Sequence, residues 1–188
     1  MIITEKDLMR DFDRLSVVFK HDKAFMEKVA ACPMPTHVKG VKLKVGGEIP
    51  LQYIAMCWNV QDEATLKRIT ASGYGLDAEK IDKYPLIDFL RMTQEFQSEA
   101  EKAAKMFMTL KRESKDERLK SILKDFKTSE RAIYTEIMIS SNGAYTQEQA
   151  ADMPWILAYD IIERNTMEYD KQMAINEIQQ EDMKHGRK

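Results

Sequence analysis

The side chains best suited to chemistry are scattered along this sequence and form no recognisable motif. The three histidines are His21, His37 and His185, and none of them follows a glutamate by three residues, the spacing used in metal-binding helical bundles. No glycine-rich phosphate loop follows a strand, and no serine or cysteine lies in a nucleophile motif. We therefore predict no metal site, no cofactor and no catalytic residue.

Clustered glutamates support an enzymatic alternative. Glu95, Glu99 and Glu101 lie close together in one helical stretch, and Glu163 and Glu168 lie in another. A carboxylate site would form if the two helices packed side by side with these residues facing each other. Solvated helix faces carry such clusters as a matter of course, so we predict a protein without enzymatic activity and keep the carboxylate site as the alternative.

Lysines are concentrated in segment 36–50, the one place where the sequence favours strand. Apolar and basic side chains alternate there with the two-residue period of a strand, and the pair Gly46-Gly47 supplies a turn. The alternating residues are Val41, Lys42, Leu43, Lys44 and Val45. A two-stranded ribbon is marginal in water by itself, so we expect this ribbon, near residues 37–50, to lie on helices or to pair with another chain.

The lysines of this ribbon, Lys39, Lys42 and Lys44, are predicted to bind a protein partner that is acidic or that offers a strand. Nucleic acid is the alternative, since lysines also bind phosphates. Nucleic-acid binders usually have a strongly basic face, whereas this chain has a net charge of −2 and a sequence pI of about 6.0. Nucleic-acid binding through residues 39–44 is therefore expected to be weak.

Methionine is unusually frequent, with 13 in 188 residues. Its flexible, polarisable side chain fills irregular cores and also forms adaptable binding surfaces. Met106 and Met108 flank Phe107, and these three neighbouring positions of a helix point in different directions. At least one of the three should face a partner or solvent, and we take Met106 and Met108 as candidate partner-binding residues.

Long helices must position most of these residues, because residues 86–142 contain neither glycine nor proline. A single helix of that length would extend for about 85 Å, too far for a compact domain of this size. The sequence Ser114-Lys115-Asp116-Glu117 matches a capping box and predicts a break between helices at about 86–113 and 115–141. These two helices would form a helical hairpin.

A last long helix is predicted from Trp155, with helix starts at Thr146 and at Asp152 just before it. Apolar residues at helical spacing predict that the long helices pack as a bundle. These residues are Leu86, Leu90, Phe96, Ala100, Ala103, Phe107 and Leu110 in the first long helix, and Ile156, Tyr159, Ile162, Tyr169 and Met173 in the last. The predicted fold is mainly α, a helical hairpin plus a C-terminal helix, with the short β-ribbon inserted.

The remaining sequence is expected to complete a single helical domain over residues 1–188. Helices are predicted from Thr4 and from Asp22, and Pro33 ends them. Residues 33–85 form an irregular segment that holds the ribbon and short helices, one of them capped by Asp62.

Cysteine usage and hydropathy indicate where the protein resides. Cys32 and Cys57 are too few for a disulfide framework, so free buried thiols and a reducing compartment are expected. The N-terminus has no export signal, and the apolar runs are far shorter than the roughly 20 residues that span a bilayer. We expect a cytoplasmic protein without a membrane segment.

A family resemblance extends over residues 38–107. The ribbon sequence VKGVKLKVGGEIPL is followed by short helices, a glycine-leucine-acid helix start and the continuation YPLIDFLRM. This order resembles the small tail-assembly chaperones and related virion-assembly proteins of bacteriophages. The resemblance implies a non-enzymatic protein that binds other structural proteins during assembly, and a virion-associated location if the protein is phage-encoded. We accordingly predict a helical interaction protein that has protein partners or forms homo-oligomers.

Overall fold

Helices dominate the computed structural model, which describes residues 9–11, 23–110 and 130–184. The chain is mainly α-helical there with one short antiparallel ribbon, as predicted. The α-helices are α1 (Lys23–Ala31), α2 (Leu51–Cys57), α3 (Glu63–Gly73), α4 (Leu86–Thr109), α5 (Glu130–Ser140), α6 (Gln147–Asp152) and α7 (Trp155–Lys184). The strands are β1 (His37–Val38) and β2 (Val41–Lys42), and short 3-10 helices occupy Met9–Asp11, Gly46–Glu48 and Ala78–Lys83. Among these described helices, none has both the length and the apolar character needed to cross a membrane.

Two helices begin at the side-chain caps that the sequence predicts. The Asp62 carboxylate accepts a hydrogen bond from the Thr65 amide at 2.8 Å and starts α3. The Thr146 hydroxyl accepts from the Gln149 amide at 3.2 Å, and the Gln149 side chain accepts from the Thr146 amide at 2.9 Å. This reciprocal pair is the predicted capping box of α6, and it satisfies amides that a helix start leaves unpaired.

Other predicted helix ends have mixed outcomes. α5 ends at Ser140, and the positive φ angles of Asn142 (53°) and Gly143 (77°) turn the chain away from the helix, as the sequence predicts. The capping box at Ser114 and the helix predicted from Thr4 lie outside the described residues.

α7 begins at Trp155, as predicted, but Asp152 is not its start. Asp152 is the last residue of α6, and its carboxylate accepts a hydrogen bond from the Gln52 side chain. The amide of Trp155 donates instead to the Ile49 carbonyl at 3.0 Å. This bond joins the segment before α2 to the start of α7, and the local sequence around Asp152 does not encode so distant a partner.

α4 is the central helix of the core and contacts α1, α2, α3 and α7. Its buried side chains repeat at three- and four-residue spacing, and they are Leu86, Phe89, Met92, Phe96, Ala100 and Ala103. The predicted stripe omitted Phe89 and Met92 and included Leu90, which is only half-buried. Because helices pack on α4 from several sides, its buried face is wider than a single stripe, and its position depends on those neighbours.

α7 has two differently packed halves. Trp155, Ala158 and Ile162 in the first half are buried against the rest of the chain. Tyr169 and Met173, which were predicted to continue the buried stripe, are 46% and 42% exposed. Bundle packing of α7 among the described residues is therefore confined to its first half. Ile156 was also predicted to be buried, but it lies at the surface beside Gly47 and is 36% exposed.

The ribbon is shorter than predicted, and its turn is elsewhere. β1 and β2 pair through His37 with Lys42 and Val38 with Val41, which leaves Lys39 and Gly40 as the turn. These two turn residues have positive φ angles of 50° and 81°, as a two-residue hairpin turn requires. The pair Gly46-Gly47, predicted as the turn, instead begins a 3-10 helix.

Candidate interaction surface

The ribbon is held firmly on the helical core. Val38 and Leu43 are 2% and 3% exposed and belong to the core cluster. The Leu43 amide donates to the Thr36 carbonyl at 3.0 Å, and the Lys44 amide donates to the Tyr74 carbonyl at 3.3 Å. The prediction that the ribbon lies on helices is therefore confirmed. A ribbon fixed in this way would present its outer side chains without a large loss of conformational freedom on binding.

The ribbon segment exposes both positive charge and apolar area. Lys39, Lys42 and Lys44 are all exposed. Val41 and Val45, which the alternating pattern assigned to the same face as Leu43, are instead 41% and 44% exposed. The alternation fails within β2, where Val41 and Lys42 are both exposed, and Val45 lies beyond the end of the strand.

We define the ribbon surface as Lys39, Val41, Lys42, Lys44 and Val45. No carboxylate among the described residues lies within 4.0 Å of its three lysine ammonium groups, whereas other lysines of α1, α3 and α4 form such pairs. The positive charge of the ribbon surface is thus not neutralised by neighbouring described residues. Acidic groups of a partner would be attracted to it.

A polar junction lies at Gly46, directly after the ribbon surface in the chain. The Trp155 indole donates to the Gly46 carbonyl at 3.1 Å, and the ring itself is fully buried. The Lys102 ammonium lies 5.6 Å from the centre of that ring and 3.5 Å from Glu99. This junction connects α4 and α7 to the segment that follows the ribbon.

The five glutamates proposed as an alternative catalytic site differ in their ion pairs and hydrogen bonds. Glu95 forms an ion pair with Arg91 at 3.0 Å, and Glu99 pairs with Lys102. Glu163 accepts a hydrogen bond from the Tyr159 hydroxyl at 2.8 Å, while Glu101 and Glu168 are exposed. Over the described ranges, no three carboxylate, histidine or cysteine side chains lie close enough together to hold one metal ion.

The two cysteines are free thiols. Burial, with a smaller contribution from the nearby Glu101 charge, raises the pKa of the Cys57 thiol to about 11, so the thiol stays protonated at neutral pH. The Cys32 thiol donates to the Lys28 carbonyl at 3.4 Å, and the His37 ring lies against the Thr36 hydroxyl. Cys32 and Cys57 are half-buried, which is less than predicted.

The two candidate methionines are on α4 and do not belong to the ribbon surface. Met108 is 49% exposed, and Met106 is half-buried and packs on the core. The ring of Phe107 lies between Trp58 and Tyr159, with ring centres 6.2 and 5.8 Å away and both contacts edge-on. Phe107 therefore packs inward, and of the two methionines Met108 is the one open to a partner.

Sequence reasoning missed three features. It did not identify Val41 and Val45 as exposed, because the alternating pattern assigned them to the same face as Leu43. It did not identify the open depression of about 350 Å³ between the end of α2 and the start of α3, lined by Met56, Asp62 and Ile69 among others. It also did not predict that apolar residues of α7 as far along as Ile178 would remain exposed, although their helical spacing is readable in the sequence.

No family model, no curated protein and no solved structure matches this chain.

Proposed function

We propose that this chain is a non-enzymatic interaction protein whose ribbon surface binds an acidic, extended segment of a protein partner. One observation carries the proposal: two exposed valines lie among three exposed lysines on a ribbon that is anchored to the core. The lysines would attract and orient the partner, and Val41 and Val45 would supply apolar contact area. A strand-like partner segment would suit the short ribbon, since exposed strand edges accept additional strands.

The partner class to test first is a virion-assembly protein. The resemblance of residues 38–107 to bacteriophage tail-assembly chaperones favours a structural protein as the partner, and the three lysines favour one with an acidic segment. Met108 would be a second contact on such a partner if the partner extends along α4.

Binding of synthetic peptides tests the chemistry without knowledge of the partner. Fluorescence anisotropy would compare a peptide of alternating glutamate and valine with a peptide of alternating lysine and valine. We expect the full chain to bind only the acidic peptide. Charge reversal in Lys42→Glu/Lys44→Glu should weaken that binding by about tenfold or more, because two attractive contacts become repulsive.

A matched control has the same change in net charge at a different place. Lys83→Glu/Lys105→Glu reverses two exposed lysines outside the ribbon surface and should leave peptide affinity nearly unchanged. Equal losses in both double variants would show that net charge rather than the ribbon surface is responsible. Tighter binding of a poly-dT oligonucleotide than of the acidic peptide, with a steep salt dependence, would favour the nucleic-acid alternative instead.

A further inference from the structure

The second half of α7 packs little against the other residues that the structure describes. α7 has 30 residues and therefore extends for about 45 Å, but its buried residues end at Ile162. From Met167 to Lys184 nearly every described side chain is exposed. A helix segment of this length is marginal in water unless one of its faces is covered.

One exposed stripe of α7 faces away from the core. Met167 and Ile178 are 63% and 60% exposed. Ile178 comes sixteen residues after the buried Ile162, a turn of roughly 1,600°, so the two side chains point about 160° apart around the helix axis. The core of the same molecule is therefore on the wrong side of α7 to cover this stripe.

We define the outer stripe of α7 by six residues at three- and four-residue spacing. They are Arg164, Met167, Lys171, Ala174, Ile178 and Glu181. All six are exposed, and neither Arg164 nor Lys171 forms an ion pair with another described residue. This spacing is that of a seam between two paired helices.

The order of residues along the stripe matches its own reverse. If a second copy lies antiparallel and centred between residues 172 and 173, Met167 lies opposite Ile178 of that copy, and Lys171 lies opposite Ala174. Arg164 lies opposite Glu181 at each end. Met167 and Ile178 then form the apolar pair of each half and opposite charges meet at both ends, while the central position joins Lys171 to Ala174.

Two flanking carboxylates favour the same arrangement. In this register Lys171 lies between Asp170 and Glu177 of the second copy, which are on the edge of its stripe. A parallel pair in register would instead place Arg164, Lys171 and Glu181 each against its own copy, so that like charges meet at three positions. The antiparallel pair brings the two Lys171 side chains within about one turn of each other at its centre, beside Asp170 and Glu177, and so has fewer like-charge contacts than the parallel pair.

We propose that the outer stripe of α7 is a self-association surface, on which a second copy of this chain docks antiparallel through Arg164, Met167, Lys171, Ala174, Ile178 and Glu181. This surface is separate from the ribbon surface, so the proposal goes beyond the function proposed above. The paired segments are short, and an interface of this kind is smaller than the roughly 1,200 Å² typical of tight complexes. The dimer should accordingly form in the micromolar range.

Sedimentation equilibrium of the full chain tests the proposal at concentrations from about 1 to about 200 µM. We expect a monomer–dimer equilibrium. Ile178→Glu should raise the dissociation constant by about tenfold or more, because it places a carboxylate against Met167 of the second copy. Met183→Glu is the matched control: Met183 is 75% exposed on the same helix but off the outer stripe, and this variant should dimerise like the original chain.

A charge exchange tests the antiparallel register itself. Arg164→Glu and Glu181→Arg should each weaken the dimer, since like charges then meet at both ends. The double variant Arg164→Glu/Glu181→Arg should restore the antiparallel dimer, because opposite charges meet again. In a parallel pair each of these residues faces its own copy, so the double variant would restore no attraction. A chain that stays monomeric throughout, equal effects of Ile178→Glu and Met183→Glu, or a double variant without recovery would each overturn the proposal.

The folded state and the ribbon proposal can be checked separately. Circular dichroism at the lowest concentration of the sedimentation series should show nearly the same thermal midpoint for all of these variants because their positions are exposed. Lys42→Glu/Lys44→Glu should dimerise normally. Loss of peptide binding with intact dimerisation, or the reverse, distinguishes failure of one proposal from failure of the other.

Discussion

The two halves of α7 are one continuous helix in opposite surroundings. Trp155 and Ile162 in the first half are at most 6% exposed, whereas Met167 and Ile178 in the second half are at least 60% exposed. Both halves have apolar residues at helical spacing. The comparison teaches that such spacing identifies a face of a helix but not what covers that face, which is the core for one half and, in our proposal, a second molecule for the other.

The sharpest way to test this contrast is to truncate one side chain in each half. Trp155→Ala should lower the free energy of unfolding by about 3–5 kcal/mol, since it removes a fully buried ring and leaves a cavity. Ile178→Ala should change it by less than about 0.5 kcal/mol in the monomer. Urea denaturation at low protein concentration measures both. A cost above 1 kcal/mol for Ile178→Ala would mean that the second half is covered within the monomer.

A close backbone approach tests how tightly the first half is packed. A Cβ atom at Gly47 would lie 2.8 Å from Cγ2 of Ile156. Gly47→Ala should therefore destabilise the fold by about 1–3 kcal/mol. Thermal unfolding should show that Gly47→Ala costs less in a chain that already carries Ile156→Ala, because the Cγ2 atom that the new Cβ would meet is then absent. Full tolerance of Gly47→Ala would show that the segment moves away freely.

The capping box just before α7 should contribute a smaller amount. Thr146→Ala removes the acceptor for the Gln149 amide and should lower the free energy of unfolding by about 1 kcal/mol. Thr146→Ser retains the hydroxyl and serves as the control in the same urea titration. Equal stability of the two variants would show that the cap has no energetic role.

Removal of the second half of α7 should have the smallest effect on the monomer. A chain ending at Thr166 should unfold within about 1 kcal/mol of the full chain at low concentration, because the exposed segment buries little apolar area. Sedimentation of the truncated chain should show a monomer at all concentrations. A large loss of stability would place this segment in the fold rather than in an interface.

Helix starts and stops were predictable because their causes are local. Asp62, Thr146 and Gln149 form hydrogen bonds with amides three residues away, so the residues that make each cap are all visible in a short stretch of sequence. The ribbon was predictable as an element for the same reason. Its turn was not, because two sites offered glycine and only packing of Val38 and Leu43 selected Lys39-Gly40.

The candidate surfaces were only partly predictable. Lys39, Lys42 and Lys44 were identified by their charge, and charged side chains seldom leave the surface. Val41 and Val45 were predicted to share the buried face of Leu43, but both residues of β2 are exposed and Val45 lies beyond the strand, which the alternating pattern does not show. The glutamates at 95–101 and 163–168 were grouped by spacing, whereas the ion pairs and hydrogen bonds that Glu95, Glu99 and Glu163 form with their own neighbours are visible only in the structure.

By itself, the sequence determined that this protein is mainly helical, where the capped helices begin and which segment forms the ribbon. These features follow from backbone hydrogen bonds and side-chain periodicity over a few residues. The tertiary structure alone decided that Trp155 joins Ile49 and Gly46 across about a hundred residues of chain, and that the ribbon shows its valines to solvent. It also decided that the outer stripe of α7 has no cover within the described residues, because burial depends on which distant elements meet.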